Sequence, residues 1–242
     1  MIIYMEKIFQ SSKFDKTEKL IKILKSLNIT EKDFLGSGCT AVVFKKNNQA
    51  IKVCRTDIRY FSNYRGNAES FKTQINSLNG ICLPINEILY QDSFFFIYSQ
   101  DLCQPLRSKE ITTEITIEFL ELFRSMIRKK IMISGLSPFN LCFYQEKLVI
   151  FDYHGLHPLK KLNSGRIARN LVKYVSLVYC PCKYHDYKAI MSDFNEDTVN
   201  QLTKMPSSLI DLLKLMLKKN FSLNEILHQI DKCIKQLDES KN

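Results

Sequence analysis

Gly36-Ser37-Gly38-Cys39-Thr40-Ala41-Val42-Val43-Phe44, followed by Ala50-Ile51-Lys52-Val53, is the stretch that decides how this chain folds. Phe34-Leu35 leads into the glycines and Val42-Val43-Phe44 leads out, which predicts two strands joined by a glycine-rich turn. Asn47-Asn48 predicts a second turn, with Ala50–Cys54 as the strand that carries Lys52. Glycine lets a backbone approach a ligand closely, because there is no Cβ to collide with it. Backbone N–H groups in such a turn can lie over phosphates, and a lysine on the next strand adds a point charge to them. The same residues also fit an ordinary hairpin followed by a surface lysine, and a lone Gly-x-Gly does not separate the two.

Size and composition narrow the choice. The 242 residues are 45% hydrophobic and 25% charged, a globular composition with enough chain for one large domain or two closely packed lobes. No apolar run approaches the ~20 residues of a membrane span. Met1-Ile2-Ile3-Tyr4 is interrupted at once by Glu6 and Lys7, too short for a signal segment. The expected location is the cytoplasm, or the host cytoplasm if the chain is a viral protein or a bacterial effector. Eight cysteines are scattered, several in strand-like runs (Cys54, Cys142), which predicts buried thiols rather than a disulfide framework. Cys180-Pro181-Cys182 with His185 lacks the second pair that a zinc site needs. The net charge of +10 is spread over short lysine clusters in many elements, favouring an acidic or phosphorylated partner without choosing one. No nucleic-acid motif is present.

Hydrophobic spacing divides the chain. Thr17–Leu27 puts Leu20, Ile23, Leu24 and Leu27 on one helical face, and Asn67–Leu78 does the same with Ala68, Phe71, Ile75 and Leu78. Ile85–Tyr90 and Phe94–Ser99 read as strands about the turn Gln91-Asp92-Ser93, giving a small antiparallel sheet that carries one helix. Beyond Asp101 the pattern is helical at Ile115–Ile127, Ile167–Tyr179, Ser207–Leu217 and Leu223–Leu237. A strand pair, Leu141–Tyr144 and Leu148–Phe151, interrupts it. The expected class is α+β: a small antiparallel β-rich N-lobe at 33–100 after a helical extension at 1–32, a hinge at 101–106, and an α-helical C-lobe at 107–242. A cleft at such a joint is a favoured place for ligands.

Ser134-Gly135-Leu136-Ser137-Pro138-Phe139-Asn140-Leu141, then Leu148-Val149-Ile150-Phe151-Asp152-Tyr153-His154, completes the series. In order with the glycine turn and Lys52, these motifs resemble the protein-kinase-like superfamily over residues 33–230. The resemblance implies a single two-lobed kinase-like domain that binds ATP and Mg²⁺. It implies nucleotide contacts at Gly36, Ser37, Gly38, Ala41, Val43, Ala50 and Lys52, with Ala41 standing where a third glycine is usual. Asn140 and Asp152 match the two metal-binding positions in type and spacing. Glu69, seventeen residues after Lys52 on the predicted helix, is the expected partner of that lysine.

The departures from the family are as informative. Gly135 stands where the catalytic aspartate belongs, Ser137 where many members have a lysine, and Tyr153-His154 where Phe-Gly is usual. The segment after Asp152 is short, with Ser164 as its hydroxyl residue besides Tyr153. His154 is the candidate substitute base, and His157 a weaker one. Loss of a general base removes about 10²–10⁴ in rate without removing nucleotide binding. The expected function is therefore a regulatory pseudokinase with weak or absent phosphotransfer. The alternatives are an active atypical Ser/Thr or small-molecule kinase, nucleotidyl transfer, and a kinase-shaped scaffold that binds no nucleotide.

Overall fold

In the computed structural model, alternating strands and amphipathic helices sort the chain into two compact units, Met1–Cys103 and Gln104–Asn242. The structure describes residues 2–14, 16–38, 41–56, 67–106, 112–133, 140–153, 156–158, 171, 206–217 and 222–239. The helix expected at Ile167–Tyr179 lies outside them, apart from the buried Leu171.

The first unit opens with two helices, α1 (Ile2–Ser11) and α2 (Thr17–Ser26). Five strands follow: β1 (Phe34–Ser37), β2 (Ala41–Lys46), β3 (Gln49–Arg55), β4 (Ile85–Gln91) and β5 (Phe95–Asp101). They form one antiparallel sheet in the order β1-β2-β3-β5-β4, and α3 (Ala68–Asn76) enters between β3 and β4. Alternation along the strands gives the sheet two distinct faces. Val42, Phe44, Ile51, Val53, Phe95 and Ile97 point to one, where Met5, Ile8, Phe9, Leu20, Ile21 and Leu24 of α1 and α2 complete the core. Phe9 lies 6.1 Å from Phe44, ring to ring. The N-terminal helices are thus a layer of this core. α1 carries its buried residues at Met5, Ile8 and Phe9, a helical spacing that Glu6 and Lys7 do not break because they fall outside the stripe.

A second helix layer, α3, lies on the other face. Its buried positions are Ala68, Phe71 and Ile75, and Asn67 caps its start by accepting from the N–H groups of Glu69 and Ser70.

The second unit holds α4 (Thr113–Arg128), α5 (Ser207–Leu217) and α6 (Leu223–Glu239). It also holds two short antiparallel pairs: β6 (Ile131–Ile133) with β9 (Leu156–Pro158), and β7 (Leu141–Tyr144) with β8 (Lys147–Ile150). Thr112 caps α4, and a reciprocal Ser222–Glu225 box opens α6. Arg124 of α4 is bound by Glu121 and, at 2.6 Å, by Asp231 of α6, and these partners raise its pKa. The class is α+β, with a five-stranded antiparallel sheet and six helices among the described residues. Among these residues no helix is long and apolar enough to cross a membrane.

Candidate functional site

Lys52 lies in the middle of β3, flanked by register partners on both sides: Val43 of β2 and Tyr98 of β5. The neighbouring rows on the same face are Ala41–Cys54–Phe96 and Lys45–Ala50–Gln100. Ala41, Val43, Ala50 and Lys52 therefore share one face of the sheet, the face that α3 covers. The Phe71 ring of α3 sits 5.6 Å from Phe96 and 6.2 Å from Tyr98. Lys52 is only 5% exposed. Desolvating an ammonium is costly, so a lysine in this row is not the solvated surface residue that the bare sequence left open. Two of the face's residues, Tyr98 and Gln100, gave no signal in the sequence, because the β3–β5 pairing joins distant parts of the chain.

The glycines differ in detail from expectation. Gly36 and Ser37 belong to β1, where they pair with Val43 and Val42, so the turn begins at Gly38, whose N–H donates to the Ala41 carbonyl at 2.8 Å. Neither glycine adopts a left-handed φ. Among the described residues, a Cβ built on Gly36 meets no heavy atom within 4 Å, and one on Gly38 only the Ala41 carbonyl oxygen at 4.0 Å. The packing of these residues therefore does not require glycine at either position. Gly80, at φ +76°, is the contrasting case in which the backbone does.

Glu69 does not meet Lys52. It is exposed in the first turn of α3, and no ion pair joins the two among the described residues. The cause is helical phase. At 100° per residue, Ala68, Phe71 and Ile75 define the buried stripe, and Glu69 falls well outside it. The expected Lys52–Glu69 pairing is corrected accordingly.

In the second unit, Asn140 and Asp152 lie at the open end of the β7–β8 hairpin. Leu141 pairs with Ile150, and one step further the Phe151 N–H donates to the Asn140 carbonyl at 3.1 Å. Asp152 is the next residue, so the ladder brings the two half-buried candidates to one end of the pair. Tyr153, buried at 2%, anchors the chain directly after Asp152. β6 and β9 pair as Ile131–Pro158, Met132–His157 and Ile133–Leu156. This ladder joins the segment before Asn140 to the segment after Asp152. Gly135, Ser137, His154 and Ser164 lie outside the described residues, as do Cys180, Cys182 and His185.

Among the described residues, no group of three or more His, Cys, Asp and Glu side chains is placed to hold a metal. Mg²⁺ keeps several waters and takes one or two protein oxygens together with phosphates, so one carboxylate and one amide oxygen fit that ion better than an all-protein cage. A cavity of about 590 Å³ lies elsewhere, between α1 and α2, lined by Glu6, Gln10, Lys16, Lys19 and Lys22 among others. No candidate residue lines it. The described cysteines are thiols rather than disulfides, and burial pushes Cys233, which donates to the Ser208 carbonyl, up to about 12. Compared with protein-family models and with curated proteins, the chain finds no match in either.

Proposed function

We propose that this chain is a kinase-like protein that binds ATP with Mg²⁺ and acts as a regulatory pseudokinase with weak or absent phosphotransfer. The observation that carries this reading is Lys52, 5% exposed in a row between Val43 and Tyr98, on the same sheet face as Ala41 and Ala50. In this reading the lysine adds its point charge to the nucleotide phosphates from the strand next to the glycine-bearing turn. Gly36 and Gly38 support the reading, since among the described residues nothing fills the space a Cβ would take there. Asn140 and Asp152, joined through the Phe151–Asn140 backbone bond, supply the oxygen ligands suited to Mg²⁺.

Weak transfer follows from Gly135, which offers no carboxylate where the family's general base stands. Thermal denaturation with ATP, in the presence and absence of Mg²⁺, tests the binding. A Mg²⁺-dependent rise in midpoint that Lys52→Met abolishes supports the proposal, and no rise at any ATP concentration overturns it. Phosphate incorporation then separates a pseudokinase from an active atypical kinase. Robust transfer by the wild type would assign the protein to the enzymes, with His154 as the first residue to test as base.

A further inference from the structure

Two hydrogen-bonded clamps hold α3 to the edge strand β4, one at each end of the helix. At the start, the Ala68 N–H donates to the Gln91 side-chain oxygen at 2.7 Å. At the end, Asn76 meets Ile85 twice: its amide donates to the Ile85 carbonyl at 2.9 Å, and its oxygen accepts the Ile85 N–H at 2.8 Å. Gln91 ends β4 and Ile85 begins it, so the helix is fixed across the full length of the strand. Between the clamps, Phe71 packs on Phe96 and Tyr98, and Tyr98 is the register partner of Lys52. Asn67 satisfies two further N–H groups of the first turn, leaving few orphan donors to favour another position of the helix.

We infer that Gln91 and Asn76 are positioning residues that make α3 a fixed wall over the Lys52 row. The sheet face that carries Lys52 is then backed by a fixed aromatic wall, and Glu69, the carboxylate of α3, is exposed and takes no part in it. The consequence for ligand binding rests on the nucleotide reading above, but the clamping itself does not. Both residues are exposed, so each can be removed without opening a cavity.

The experiment uses the full chain and four proteins: wild type, Gln91→Ala, Asn76→Ala and Gln91→Glu. Amide hydrogen exchange across 68–76 and acylation of Lys52 by an amine-reactive ester report on the wall without nucleotide. Mg·ATP titration reports on its consequence. Gln91→Ala should speed exchange in α3 by about fivefold, the worth of one ordinary hydrogen bond, Asn76→Ala, which removes two, by more, and both should raise Lys52 labelling. Both should weaken Mg·ATP by a similar factor. Gln91→Glu keeps an oxygen for the Ala68 N–H and adds charge favourable at a helix start, so it should behave as wild type. Unchanged exchange and labelling in both alanine variants would overturn the inference, as would a loss of ATP affinity in Gln91→Glu equal to that in Gln91→Ala. If the wild type binds no ATP while both alanine variants loosen α3, the nucleotide reading fails and the clamps stand.

Discussion

Lys52 and Tyr98 are direct partners across β3 and β5, on the face of the sheet that α3 covers, with the Phe71 ring 6.2 Å from the Tyr98 ring. Lys52 itself is 5% exposed, so this row of the sheet is sheltered from solvent.

Replacing Lys52 by methionine tests its part in nucleotide binding. Lys52 is buried and has an interaction of its own, so its removal also acts on the fold, and the nucleotide shift is read against the variant's own ligand-free midpoint. ATP at 100 times its Kd would stabilise the wild type by about 2.7 kcal/mol. For a chain of this size that is a rise of about 5–10 °C. The variant should show none of it in a thermal melt with 5′-ATP and Mg²⁺.

Asp152→Ala should remove the Mg²⁺-dependent part of the nucleotide shift and leave the Mg²⁺-free part. Asp152 is half-buried beyond the end of the β7–β8 ladder and has an interaction of its own, so each shift is read against the variant's own ligand-free midpoint. Equal shifts with and without Mg²⁺ in the wild type would remove the metal role.

Under the proposed reading, Gly135→Asp places a carboxylate where protein kinases have their general base. Phosphate transfer to a generic Ser/Thr substrate should rise by about 10²-fold or more if the base is what the chain lacks. Unchanged transfer in a variant that still binds Mg·ATP would shift the deficiency to Ser137 or to the short segment after Asp152.

The β4–β5 turn makes stability acid-sensitive. Burial works against the Asp92 carboxylate, but hydrogen bonds from Lys19 and from the N–H groups of Phe95 and Phe94, with Tyr90 behind them, outweigh it and hold its pKa below the ordinary 3.8. A carboxyl group depressed in the folded state stabilises fully above its unfolded pKa, and that contribution is lost as pH falls through the folded one. Asp92→Ala should therefore cost about 1–2 kcal/mol near pH 7, with the difference from wild type shrinking below pH 3.8. Urea midpoints at pH 7 and pH 3 measure it; an equal gap at both would place the effect in packing alone.

The N-terminal helices should be indispensable to the first unit. Phe9 is fully buried among Phe14, Phe44 and the β-sheet core, and Phe9→Ala should cost about 3–5 kcal/mol. A loss below 1 kcal/mol in urea denaturation would show that α1 packs on the sheet only loosely.

Much of the local structure was legible residue by residue. The period-2 runs of β2 and β3 and the turn at Asn47-Asn48 are short-range patterns, and Asn47 does take a positive φ of 55° between paired Lys46 and Gln49. Ser207–Leu217 matches α5 end to end, since its apolar stripe recurs at helical spacing throughout. One misreading was avoidable: Glu69 was chosen by its distance along the chain from Lys52 although the stripe of Ala68, Phe71 and Ile75 turns it away.

By itself the sequence determined the elements and their buried faces, because periodicity depends on neighbours a few residues apart. Tertiary structure alone decided which elements meet. The β3–β5 pairing puts Tyr98 beside Lys52, and the Ile131–Ile133 ladder with Leu156–Pro158 pairs runs of three residues too short to show any period. The clamps on α3 depend on Gln91 and Asn76, polar residues whose role exists only once β4 lies against the helix. Strand partners and side-chain-to-backbone bonds are set by contacts between distant segments, and no local pattern in the chain encodes the distance at which they form.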